Sequence, residues 1–331
     1  MSKRVWWIDL AKGWTIFFVV VAHTMDGIYN THLFYQYRGI SETVMFLSFT
    51  FVMPVFFALS GYLLKSTSTL DALLKNVKRK FFDLIIPYIF FSFIFVALQH
   101  LSSKVNKPFS WLDLVFIFKQ PIGYMWFLYA LFFIFVLVYF FDITKLSIET
   151  QCLISMIFFA LGEAVTLPYF IAITFKWCIC LELGRLLKKY NRLFTSKKLF
   201  ILFMLLFGIS MLYQACQGGL WYATNVLSLG NVISKITSIP IMFSIFYHCR
   251  HNLANDYLAK YGKYSLVIYL VHDPATSVFR MLLLRLHFTN YFVLVTLVII
   301  LSWIASTLVC QLSKKIRPIK FLFFPRDVLQ N

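Results

Sequence analysis

Charge is scarce in this chain. Asp, Glu, Lys and Arg make up only 13% of the 331 residues, about half the share of a soluble domain. Acids are the scarcer sign, 13 against 31 Lys and Arg, leaving a formal net charge of +18. Cysteine is sparse and unpatterned. The six residues (Cys152, Cys178, Cys180, Cys216, Cys249, Cys310) fall mostly in apolar runs. Cys178 and Cys180 lie about 200° apart around a helix, unsuited to clasping one metal. No disulfide framework, zinc site or other metal site is expected. Internal repeats and low-complexity stretches are missing too. The tail after the last apolar run, about eighteen residues, is too short for a soluble domain.

Apolar residues fill the space, at 60% of the chain. One soluble core could not hide that much apolar surface, and a bilayer span takes about 20 residues. The sequence therefore predicts an all-α polytopic membrane protein, a single domain over 1–331. Ten spans are expected, near 5–25, 44–64, 82–101, 125–141, 151–167, 169–187, 199–216, 231–248, 264–285 and 290–313. The first follows Lys3 and Arg4 as a signal peptide would, but it has no small-residue cleavage site and carries Asp9, Lys12 and His23. It reads as a retained helix.

Alternating these spans sorts the basic residues. Twenty-two Lys and Arg fall on the side of the two termini, six on the opposite side and three within spans (Lys12, Lys176, Lys235). By the positive-inside rule both termini are cytoplasmic. The basic excess is thereby explained without nucleic acid, and the expected location is the cytoplasmic (inner) cell membrane.

Ionisable groups at membrane depth are functional candidates by default. On the first helix Lys12 and His23 differ by about 20° of azimuth, and Asp9 lies within about 60° of both. One reading makes Asp9 and Lys12 an i, i+3 ion pair and His23 a helix-to-helix hydrogen bond. The other lines a cavity with them: Lys12 neutralises an anion entering from the cytoplasm, and His23 acts as general base. A third use of the stripe, binding a proton or polar substrate in a transporter or flippase, is the rival function class. Further candidates are Ser60 in Ser60-Gly61-Tyr62, either a packing hydroxyl or a donor to a reacting oxygen, and the basic run Lys75, Lys78, Arg79 and Lys80. That run suits topology, lipid contact or a phosphate-rich cofactor. Glu163 and Lys176 near the sixth span and His272 in the ninth join Trp221 and Tyr222 of an outer loop as substrate-binding candidates, the last two through stacking on a sugar face.

Five segments resemble the integral-membrane acyltransferases of the acyltransferase-3 type. They are "WIDLAKGWTIFFVVVAHT" (7–24), "VFFALSGYLL" (55–64), "KRKFFDLIIPY" (78–88), "MWFLYALF" (125–132) and "GKYSLVIYLVH" (262–272). Their order matches the family over about 5–313, and "DLAKG" is most similar to its fucose or polysaccharide O-acetylase branch. The resemblance implies transfer of an acyl group, usually acetyl, from cytoplasmic acyl-coenzyme A to a hydroxyl of a surface carbohydrate or its lipid-linked precursor. It implies catalysis by His23 and gives its basic partner, Lys12, to coenzyme A or to orienting the histidine; the expected site adds Asp9 and Ser60 beside His23, and Lys78, Arg79 and Lys80 on coenzyme A. This chain departs from the family in having Lys12 where Arg is common, and Asp83 three residues after Lys80, where a second basic residue is frequent.

Overall fold

A computed structural model describes residues 5–101, 109–217 and 226–329. These residues form helices and connecting turns, with no strand among them. Helix α1 spans Trp6–Tyr29 and α2 Arg38–Tyr62; α3 (Leu70–Lys80) runs through a π turn into α4 (Ile86–Leu101). Then come α5 (Trp126–Ile143), α6 (Ile148–Ala164), α7 (Tyr169–Lys189), a short α8 (Arg192–Thr195), α9 (Lys197–Gln217) and α10 (Val232–His248). The chain ends with α11 (Leu253–Gly262), α12 (Ser265–Arg285), α13 (Tyr291–Lys315), α14 (Arg317–Phe323) and α15 (Pro325–Leu329). A long helix occupies every window in which a span was expected. Among the described residues seven helical stretches are long and apolar enough to cross a membrane, and α10 is a shorter apolar helix of the same kind. The protein is an all-α polytopic membrane protein.

The chain divides into two compact units interleaved in sequence, one of residues 1–62 and 183–310, the other of 63–182 and 311–331. In the first, α1 is the hub and packs on α2, α10, α11 and α12. Close approach comes from glycine. A Cβ on Gly262 would lie 1.8 Å from the Asp9 carbonyl oxygen, and one on Gly13 2.2 Å from that of Leu258, so α1 and α11 meet backbone to backbone. Two indole N–H groups fasten the crossing, Trp6 to Asp256 at 2.9 Å and Trp14 to Asn255 at 3.1 Å. Burial separates centre from rim: 78% of the apolar window of α2 is enclosed but only 17% of that of α9. Ile201, Leu205, Ile209 and Leu212 of α9 are exposed, an outward face suited to lipid tails.

In the second unit the phenol of Tyr88 (α4) donates to the Ile117 carbonyl and that of Tyr129 (α5) to the Phe118 carbonyl, each at 2.6 Å. The loop between α4 and α5 is thus pinned at two points. Rings of Phe158 and Phe175 stack at 4.2 Å between α6 and α7, beside an ion pair of Lys176 with Glu163. The π turn Phe81–Ile85 has a cause in the sequence. Pro87 has no N–H to return to the Asp83 carbonyl, and the Ile86 N–H reaches back five residues to the Phe81 carbonyl. Such a turn inserts one residue into the ladder and shifts the facing of Phe82 and Asp83.

Candidate active site

The densest polar constellation in the first unit centres on His23, late in α1. Its Nδ1 lies 3.4 Å from Oδ1 of Asp273 on α12, and each side chain is about a fifth exposed, 19% and 20%. The ring of His272, the next residue on α12, meets that of His23 edge-on at 4.9 Å, and Phe49 of α2 closes a third side at 5.8 Å. His272 is fully buried, and its Nδ1 contacts the Tyr269 carbonyl. A carbonyl only accepts, so that nitrogen carries the proton. A carboxylate on Nδ1 of His23 likewise fixes the proton there and leaves Nε2 with its lone pair. The unit can thus accept a proton from a hydroxyl and stabilise the imidazolium that results.

Two charges just beyond His23 belong to the same neighbourhood. Asp26, one turn further along α1, accepts from Asn30 at 3.1 Å. The guanidinium of Arg280, two turns beyond Asp273, covers Gly27 so closely that a Cβ there would sit 1.6 Å from Nη1. Arg280 is drawn electrostatically to both Asp26 and Asp273. On α10, Lys235 is fully buried and donates to the Phe49 carbonyl at 3.1 Å, bracing α2 beside the His23 ring.

Several residues put forward from the sequence stand elsewhere. Asp9 is fourteen residues before His23, about 21 Å along a straight helix, and lines a separate cavity of about 220 Å³ with Trp6, Asp256, Ala259, Lys260 and Lys263. It is too far from the His23 ring to act on the same atoms. A shared helix face aligns two residues in azimuth and says nothing about depth. Ser60 also stands apart from His23. His23 is level with Phe49, Ser60 is eleven residues further along α2, about 16 Å away in axial rise, and its hydroxyl donates to the Phe56 carbonyl at 2.9 Å. Lys12, about 16 Å from His23 along α1, is half-buried. His272 is brought to His23, its ring against the His23 ring and closed to solvent.

In the second unit Lys78 and Arg79 line a cavity of about 410 Å³ together with Lys75, Phe82, Arg326 and Leu329. Four cations and one aromatic ring suit a phosphate-bearing aromatic group. The ammonium of the neighbouring Lys80 sits over the Phe135 ring of α5 at 3.8 Å. Glu163 and Lys176 face each other as the ion pair described above, and neither belongs to the unit that contains His23. Trp221 and Tyr222 lie outside the described residues.

The reading from sequence missed Asp26, Arg280 and Arg326 and left Asp273 without a role. For Asp26 there was a signal, its i+3 spacing from His23. His272-Asp273 ahead of Pro274 was another.

A family model for an acyltransferase domain, acyltransferase-3, matches residues 5–310 of the chain. No curated protein and no solved structure matches it. With a match over nearly its whole length, and with ten long helices and a histidine–carboxylate pair among the described residues, this chain belongs to the acyltransferase-3 family of membrane acyltransferases.

Proposed function

We propose that the protein is an O-acyltransferase of the cytoplasmic membrane, taking an acyl group, acetyl in the simplest case, from cytoplasmic acyl-coenzyme A. The acceptor is a hydroxyl of a cell-surface carbohydrate or of its lipid-linked precursor. The observation that carries this reading is the His23–Asp273 pair at 3.4 Å within an acyltransferase family chain.

His23 Nε2 removes the proton of the acceptor hydroxyl as its oxygen attacks the thioester carbonyl. The carbon–sulfur bond then breaks, and the departing thiolate takes the proton back from the imidazolium. Asp273 holds Nδ1–H and offsets the charge that appears on the ring between these two transfers. Lys78 and Arg79 of the basic cavity are assigned to phosphates of the donor.

Sidedness follows from charge. Ten spans with both termini inside put the basic turn around α3 in the cytoplasm, where acyl-coenzyme A is made. The connections at 30–37 and 109–122 then face outward, toward a hydroxylated acceptor. Cysteines introduced at Ser68 and Ser110 test this. Ser110→Cys reacts with an impermeant maleimide on intact cells and Ser68→Cys only after permeabilisation; the reverse pattern overturns the topology.

The activity itself is tested by thiol release from acetyl-coenzyme A, using purified protein in nanodiscs and membrane extract as the source of acceptor. Free coenzyme A appears with the wild type and not with His23→Ala. A transporter working through the same stripe leaves the thioester intact.

A further inference from the structure

We infer that the C-terminal tail forms one wall of the donor pocket, and that Arg326 binds a phosphate of the donor's adenosine end. This rests on the reading that the basic cavity of the second unit receives acyl-coenzyme A. It adds a residue some 250 positions away from the basic run in sequence.

Four observations carry it. Arg326 and Leu329, both on α15, line the cavity of about 410 Å³ opposite a set drawn from α3 and the π turn: Lys75, Lys78, Arg79 and Phe82. That volume lies in the range of ligand sites, about 300–1,000 Å³. Helix α15 packs on the π turn and on α14, and α14 packs on α4, so the wall is seated on the same unit as the cations it faces. Pro325 is buried beneath it and Phe323 rests against Phe91 of α4 at 5.0 Å. Finally, Asp83 holds Arg326, Nη1 lying 3.3 Å from Oδ2, while Asp327 stands at 3.9 Å from Nη2.

The chemistry is that of adenosine carrying phosphates at both ends of its ribose. A guanidinium takes a phosphate through two parallel N–H bonds, which an ammonium cannot do. With Lys75, Lys78 and Arg79 it makes four cations lining one cavity. Phe82 offers a ring face to the base. Arg326 keeps Asp83 as its partner until the phosphate arrives, and the stronger anion then shares the fork. Asp83 is thus a holder and a competitor for one guanidinium, so its charge weakens binding rather than supporting it.

The proposal separates Arg326 from a tail that merely packs. Binding of adenosine 3′,5′-bisphosphate and of coenzyme A is measured by titration calorimetry, with purified protein in phosphatidylcholine nanodiscs. The variants are Arg326→Ala, Arg326→Lys, Asp83→Asn and the double substitution Lys78→Ala/Arg79→Ala. Arg326→Ala weakens both ligands about tenfold or more, the loss expected for a charge-assisted bond, and Arg326→Lys recovers only part of it. Asp83→Asn leaves affinity unchanged or raises it.

If Arg326→Ala binds as the wild type while the double variant does not, the tail is no part of the site and the inference is overturned, though the donor pocket stands. An equal loss in Asp83→Asn and Arg326→Ala makes the tail a structural prop and overturns it as well. If the double variant also binds normally, or the wild type takes up neither ligand, the donor pocket fails together with the inference. A lipid headgroup has the same phosphate chemistry, so the titration is repeated with phosphatidylglycerol in the nanodisc. Should Arg326→Ala alter only the response to that lipid and not nucleotide binding, the inference falls.

Discussion

Asp273→Asn is the most informative single change, because it keeps the shape of the site and removes only charge. In the wild type the carboxylate sits 3.4 Å from Nδ1 of His23. Once the ring has taken the acceptor's proton, that separation gives a Coulomb attraction of about 5 kcal/mol at an effective dielectric constant of about 20. Both side chains are about a fifth exposed, and solvent screening reduces the figure to roughly 3–4 kcal/mol. At 1.36 kcal/mol per decade this is a rate loss of about 10²- to 10³-fold. It should fall on kcat, because the attraction is present only when the ring is charged. The assay is thiol release from acetyl-coenzyme A with acceptor present, alongside a donor-binding titration that should not change. Asp273→Glu, which retains the charge, should recover a measurable part of the rate. Activity of Asp273→Asn above about a third of the wild type would show that the carboxylate does not serve the base.

Three further outcomes follow from the packing. Ser60→Ala should leave activity within about twofold, since its hydroxyl is committed to the Phe56 carbonyl and such a surface-independent loss costs little; a tenfold fall would return Ser60 to the reacting centre. Gly262→Ala should lower the thermal midpoint of the purified protein by several degrees or abolish extraction of folded protein, because the new Cβ meets the Asp9 carbonyl oxygen at 1.8 Å; unaltered unfolding would mean that α1 and α11 do not cross so closely. Lys12→Ala should weaken donor binding about tenfold or more while Lys12→Arg retains it, the charge and not the fork being what is used; normal binding by Lys12→Ala would make that lysine structural.

The helices were legible because an apolar run of span length has few alternatives, and every window read from sequence contains one. Their interruptions were harder to read. Pro87 sits in plain view, yet whether the helix answers it with a kink or with a five-residue return from Ile86 to Phe81 depends on what packs around it. Here the return prevails and re-aims Phe82 and Asp83. His23 stands out as a candidate from depth and spacing on one helix, which is information local to the sequence. Its partner Asp273 lies 250 residues away on α12, and no local pattern ties the two together.

Arg280 is one of the six basic residues that the alternation of spans puts on the outer side, and a charge count gives no hint that its guanidinium lies on Gly27, near His23. Arg326 was counted as one of the cytoplasmic tail charges for the same reason: charge totals assign a side and carry no contact. Asp9 and Ser60 share a helix face or a motif with other candidates, but the rise of about 1.5 Å per residue carries them some 16 to 21 Å from the level of the His23 ring.

The central claim is that His23 drives acyl transfer onto surface carbohydrate, and mass spectrometry of that carbohydrate tests it most directly. Cells lacking the protein are compared with cells making the wild type or His23→Ala at equal membrane levels. The account predicts O-acylated glycans with the wild type only, and base-labile loss of the added mass. Glycans identical in all three, or acylated equally by His23→Ala, would contradict it.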